Sequence, residues 1–81
     1  MTKLITNRVF GQNVQELRCS RGLTQEQTVT QLRALGSPIS RSTYALIEIG
    51  RGNIYVSDLV ALQKIFDVDF SAFFENIPTS R

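Results

Sequence analysis

Two helix-start signals stand sixteen residues apart in the stretch LTQEQTVTQLRALGSPISRSTYALIEIG, Leu23 to Gly50, and they constrain the fold more than any other feature of the chain. The first is TQEQ, Thr24 to Gln27. It reads as a capping box, in which the threonine hydroxyl and the Gln27 side chain reciprocally satisfy N–H groups that a helix start leaves unpaired. The second is Ser40, a favourable N-cap. Ile39 precedes it and Tyr44 follows four residues later, the arrangement of a hydrophobic staple. Between the two signals, Val29, Leu32 and Leu35 supply an apolar stripe, and Gly36 with Pro38 breaks it. The helix opened by Ser40 is short, about Arg41 to Ile49, because Gly50 ends it and RGN makes a polar turn.

The rest of the chain surrounds this pair with further helical pattern. Phe10, Val14 and Leu17 fall at i, i+4 and i+7, one helical face, which predicts a helix from about Arg8 to Arg21 with Gly22 in the C-cap region. A fourth helix is expected near Ser57 to Phe66, with Leu59, Leu62 and Phe66 inward. Asp69 reads as the N-cap of a last short helix, FSAFFENI. NIYVS is the one strand candidate, and a single short strand would have nothing to pair with. The expectation is therefore all-α: one domain over residues 1–81, five helices, a helix pair at about 24–50 and C-terminal helices at about 56–77.

Composition removes several function classes. With 42% apolar and 20% charged residues, the chain has the make-up of a globular protein rather than a disordered one. No apolar run approaches the roughly 18 residues of a membrane span, and MTKLITNRVF lacks the apolar core of a secretory signal, so a cytoplasmic protein without membrane contact is expected. Cys19 is the single cysteine and there is no histidine. That leaves no internal disulfide, no metal cluster of the usual Cys/His kind, and no Ser-His or Cys-His catalytic pair. No glycine-rich phosphate loop is present either, and the expected protein is not an enzyme and carries no cofactor or metal. The net charge is only +2, but it is unevenly spread: residues 1–55 hold seven basic and three acidic side chains, and residues 56–81 hold two and four. A basic front and an acidic back suit a polyanion on one side, although chance segregation of so few charges would look the same.

Two short helices joined by a tight turn inside a small bundle match the helix-turn-helix pattern, whose second helix enters the major groove of DNA. Core packing explains the apolar positions of the second helix but not its outer face. Arg41, Ser42 and Thr43 share its first turn, and all three can hydrogen-bond to bases or phosphates. Arg41 could address O6 and N7 of a guanine, worth about 1–3 kcal/mol of discrimination. The plainer reading is that serine and threonine favour helix starts and that the arginine is simply solvated.

FGQNVQELRCSRGLTQEQ, then ISRSTYALIEIGRGN, then LVALQKIFDVDFSAFF together resemble the Cro/phage-repressor (XRE-like) family of helix-turn-helix regulators, over roughly Arg8 to Glu75. The resemblance implies a five-helix, lambda-repressor-like domain that binds double-stranded DNA. It implies that Gln25, at the start of the second helix, meets a phosphate, aided by the helix dipole. Ser40, Arg41, Ser42, Thr43 and Leu46 would face the groove, with the bases read by the last four and Ser40 reaching a phosphate. Arg51, Gly52 and Asn53 would meet the backbone again. Arg18 and Glu48 would form a structural ion pair tying the recognition helix to the bundle. The chain departs from the family pattern in several places. RALGSPI lengthens the connection between the two helices, as in one subgroup. Val29 stands where a small residue is usual and Thr28 where leucine is usual. Leu46 takes an outward position that is commonly polar, and Ile49 replaces a common asparagine.

The C-terminal segment places Phe70, Phe73, Phe74 and Ile77 on a short element, more apolar surface than such an element needs. Some should pack inward, and the remainder is expected to form a homodimer interface, since palindromic half-sites about 34–36 Å apart call for a two-fold pair. Pure core packing is the competing account. The expected function is a sequence-specific transcriptional regulator, a homodimeric repressor or autoregulator reading a palindromic operator through its third helix, with a protein co-regulator left open as a further partner. The alternative is a protein-interaction module, such as an antitoxin or anti-repressor subunit, using Leu46, Tyr55 and the phenylalanines.

Overall fold

A computed structural model describes residues 3–78. The elements run β1 (Lys3–Ile5), α1 (Arg8–Ser20), α2 (Gln25–Ala34), α3 (Arg41–Glu48), β2 (Asn53–Tyr55) and α4 (Val56–Phe66), followed by a single 3-10 turn at Phe70–Phe74. Each of the first three helices starts where a side chain takes up an otherwise unpaired N–H. Asn7 accepts from the Phe10 amide at 2.7 Å. Thr24 accepts from the Gln27 amide at 3.0 Å while Gln27 accepts from the Thr24 amide at 2.9 Å, a complete capping box. Ser40 accepts from the Thr43 amide at 3.2 Å. Caps of this kind are worth about 1 kcal/mol each, enough to settle where short helices begin.

Apolar faces from every helix meet in one core. Phe10 and Val14 come from α1, Val29 and Leu32 from α2, Tyr44 and Ile47 from α3, and Leu59, Ala61, Leu62 and Phe66 from α4; Ile39 ahead of α3, Ile54 of β2 and Phe73 of the 3-10 turn complete it. Burying aliphatic and aromatic side chains of this size stabilises by about 1.5–3 kcal/mol apiece, so shared burial contributes to holding all four helices together.

The fold corrects the expected all-α, five-helix architecture in two ways. Four α-helices are present among the described residues, and the segment expected to be the fifth is the 3-10 turn. It is confined between Asp67 and Asn76, both with left-handed backbone (φ 53° and 62°), and the Asp69 side chain supplies no cap. Extended backbone at Asp69 and Glu75 leaves it five residues, little more than one turn, which favours the tighter helix. The second correction is an antiparallel two-stranded ribbon, β1 with β2, in which Leu4 lies opposite Ile54. The supposedly partnerless NIY strand thus finds its partner in the N-terminal segment. Leu35, expected inward, is exposed: steps of three residues fall about 60° short of a full turn each, so by the second step after Val29 the stripe has rotated away from the core.

Candidate nucleic-acid interface

The recognition-helix candidate α3 has one buried and one exposed face, which do not divide strictly by polarity. Tyr44, Ile47 and Glu48 are buried, whereas Arg41, Ser42 and Thr43 are exposed on the first turn, and Leu46 and Ile49 are 45% and 57% exposed. The Ser40 hydroxyl is engaged twice, accepting from the Thr43 amide and donating to the Thr43 Oγ1 at 3.0 Å. The Ser40 oxygen is therefore committed to the cap. On the neighbouring helix, Gln25 borders a shallow hollow together with Arg41, Ser42 and Ala45. The start of α2 and the outer face of α3 thus form one continuous surface.

What orients α3 is largely polar. Arg18 of α1 donates from Nε to Glu48 Oε2 at 2.7 Å and from Nη2 to Oε1 at 3.1 Å, a two-pronged ion pair. Its remaining Nη1 donates to the Leu23 carbonyl at 2.7 Å, immediately ahead of the α2 cap. Gln25 Nε2 donates to the same Glu48 Oε1 at 3.0 Å. The side chains of Arg18 and Glu48 are only 11% and 2% exposed. Burial alone would raise the Glu48 carboxyl, but hydrogen bonding from Arg18, with Gln25 also contributing, outweighs it and holds the group below the usual carboxylate range. The same bonds to Glu48 hold the Arg18 guanidinium more firmly protonated. The Tyr44 hydroxyl is buried beside the pair without a hydrogen bond of good geometry. Burial first, then the nearby Glu48 carboxylate, push its phenol well above the usual range.

Two glycines let α3 approach α1. A Cβ at Gly11 would run into the carbonyls of Ile47 and Glu48, and one at Gly50 would run into the backbone of Asn7 and Arg8. Gly50 also has φ +79°, a conformation other residues adopt at a cost. Beyond it, the Arg51 amide donates to the Leu46 carbonyl at 2.9 Å, and Arg51 and Asn53 are exposed. Thr6 fixes this loop from the other side. Its amide (3.2 Å) and hydroxyl (2.7 Å) both donate to the Gly52 carbonyl.

Three parts of this surface escaped the sequence. Arg8, exposed at the start of α1, has its backbone against Gly50, the residue before Arg51. Thr6 braces the loop, and Gln25 bonds to Glu48. Contacts between residues 23 to 46 positions apart leave no local signal.

The C-terminal phenylalanines separate. Phe73 is fully buried, with ring centroids 6.3 Å from Phe10 and 6.2 Å from Phe66. This corrects its expected place in a dimer interface: it is core. Phe70 and Phe74 are 43% and 45% exposed, and Phe74 leans on Phe10 at 5.7 Å. Ile77 is partly buried against the core. The Asn13 amide secures the segment by donating to the carbonyls of Phe73 (2.9 Å) and Glu75 (2.8 Å). Among the described residues, no group of acidic, cysteine or histidine side chains could hold a metal ion, and no helix is long and apolar enough to cross a membrane.

A family model described as helix-turn-helix matches residues 14–73. Among solved structures, the chain is similar to the restriction-modification controller protein C.AhdI from Aeromonas hydrophila, with 27% sequence identity and a TM-score of 0.71, over 83% of this chain and 94% of that one. No curated protein matches the sequence.

Proposed function

The chain belongs to the XRE-like helix-turn-helix family of DNA-binding transcription regulators, and from that premise we propose that it is a homodimeric repressor or autoregulator that reads a palindromic operator with α3. One observation carries the reading: the exposed Arg41–Ser42–Thr43 turn sits on a helix whose other face is fixed by a buried ion pair. Base reading needs side chains presented in a reproducible direction, and a clamped helix meets that need without ordering costs at the moment of binding.

In this proposal Arg41 reads a guanine edge, and Ser42 and Thr43 add less selective hydrogen bonds. Leu46 contacts a thymine methyl. Gln25, the α2 start, Ser40, Arg51 and Asn53 meet phosphates, setting register rather than sequence. Ser40 then acts through its backbone N–H, because its hydroxyl hydrogen is already donated to Thr43 Oγ1. Residues 1–81 act as one cytoplasmic domain. Phe70, Phe74 and Ile77 form the two-fold contact, without Phe73. The likeness to a restriction-modification controller protein favours a controller that regulates transcription by occupying DNA.

The exposure of Leu46 on α3 and of Ile49 at its C-cap supports a second reading, in which this face docks on a protein. Selecting bound duplexes from a random pool discriminates the two. A motif with two-fold symmetry, bound less tightly as salt rises because counterions are released, is the expected result. Failure to enrich any duplex would remove the proposal and favour the protein partner.

A further inference from the structure

We infer that Glu48 is a positioning residue for DNA binding, which aims the Gln25 amide so that a phosphate contact is assembled on the free protein in register with the base-reading face of α3. The inference rests on the DNA-reading function proposed above and goes beyond it by naming what sets the geometry between the two helices.

The chemistry of the two groups leads there. A primary amide has two N–H donors and one acceptor oxygen in a single plane. Gln25 spends one donor on Glu48 Oε1 at 3.0 Å, which restrains the amide and leaves its second N–H to be donated elsewhere. The reverse orientation would set the amide oxygen against a carboxylate oxygen, acceptor against acceptor. The charge on Glu48 therefore selects the nitrogen end of the amide for this contact, and the second N–H on that nitrogen stays available to a phosphate. Glu48 in turn cannot drift, because Arg18 grips both of its oxygens.

The same arginine makes the arrangement compatible with a phosphate. An unpaired carboxylate beside a phosphate would repel it, but here the guanidinium neutralises Glu48 at contact distance, and the pair is nearly excluded from water. Arg18 also holds the Leu23 carbonyl at 2.7 Å, so one side chain fixes the approach to α2 and the end of α3 together. Gln25 shares its hollow with Arg41, Ser42 and Ala45. A phosphate held there would lie alongside the residues proposed to read bases.

A double-mutant cycle on the full chain tests this, using a duplex selected from the random pool, at fixed salt and at a temperature where circular dichroism shows every variant folded. Gln25→Ala should lower affinity about tenfold, Glu48→Gln should lower it by a similar factor, and the double variant should be little worse than either, as expected for two residues acting as a unit. Multiplying losses would overturn the inference, since Glu48 would then act only through the fold. So would Gln25→Ala leaving affinity for the selected duplex unchanged, a result that would leave base reading by α3 intact. Failure to select any duplex would instead overturn the DNA-reading function. A measurement on the unaltered protein covers the case in which Glu48→Gln does not fold. The Gln25 side-chain amide should be rigid by NMR relaxation in the absence of DNA, and mobility equal to that of the exposed Gln12, Gln15 and Gln31 would overturn the inference.

Discussion

The two sides of α1 are held by different physics. One side presents Gly11, which admits the α3 backbone, and Arg18, which bonds to Glu48 and Leu23. The other presents Phe10 to the rings of Phe73 and Phe74, with Asn13 bonding to the chain on either side of Phe74. Hydrogen bonds and ion pairs are directional, so the first side sets the rotation of α3 as well as its distance. Apolar burial is non-directional. The second side keeps its segment close but leaves two aromatic rings partly uncovered. Orientation is invested where bases are proposed to be read, and spare apolar surface collects where a second copy is proposed to dock.

Breaking either side should cost a similar amount of stability but differ in what rescues it. Arg18→Ala strands a buried carboxylate and should lose about 3–5 kcal/mol. Phe73→Ala empties the space between Phe10 and Phe66 and should also lose about 3–5 kcal/mol. Urea denaturation measures both. Replacing the whole pair, Arg18→Met with Glu48→Leu, should restore most of the first loss, because a buried ion pair can often be exchanged for apolar residues of similar volume. DNA affinity should not return with it, since the Gln25 amide loses its acceptor. Recovery of both would mean that the polar side serves stability alone.

A smaller effect is expected from the rings left uncovered. Phe70→Ser and Phe74→Ser remove half-exposed surface and should each change monomer stability by about 1 kcal/mol or less. If they form the two-fold contact, sedimentation velocity should show the dimer dissociating at concentrations where the unaltered chain stays paired. An unchanged dimer would place the interface elsewhere and leave Phe70 and Phe74 as incidental exposure.

The polar side should also be the more sensitive to acid. The folded-state pKa of Glu48 lies below that of an ordinary glutamate, so the unfolded chain takes up the proton first. The stabilisation is fully present above the unfolded value of about 4.3 and is lost as pH falls through the lower folded value. Glu48→Gln should therefore flatten the fall in stability below about pH 4.3, read from urea midpoints across that range. A profile as steep as that of the unaltered chain would assign the acid sensitivity to other carboxylates.

Much of the polar side was legible in the sequence because it is built from local signals. The capping box at Thr24, the Ser40 cap and the apolar spacing of α3 act within four or five residues, and they place Arg41, Ser42 and Thr43 outward. Arg18 and Glu48 lie thirty positions apart and came only through family resemblance. Their bonds to Leu23 and Gln25 had no sequence signal. The ribbon was missed because three-residue strands are too short to show alternation, and the partner of Ile54 lies fifty positions away at Leu4. Phe73 was misassigned for a related reason. Within a five-residue turn no period is established, so only the position of Phe66 and Phe10 decides that Phe73 turns inward and its neighbours do not.

Tyr44 lies where the polar and apolar contributions meet, and it should show the smallest effect. Its ring belongs to the core, while its hydroxyl is buried beside Glu48 without a well-formed hydrogen bond. An unsatisfied buried hydroxyl costs about 1–3 kcal/mol, partly offset here because the O–H dipole lies near a carboxylate. Tyr44→Phe keeps the ring, removes both contributions, and should shift stability by no more than about 1 kcal/mol in either direction. DNA affinity should stay the same, since Arg18 and Gln25 still hold Glu48. A loss above about 2 kcal/mol would show that the hydroxyl is bonded firmly to Glu48 in solution, in the range found for hydrogen bonds to charged groups. The network that orients α3 would then have a fourth member, reaching it from inside the helix it orients.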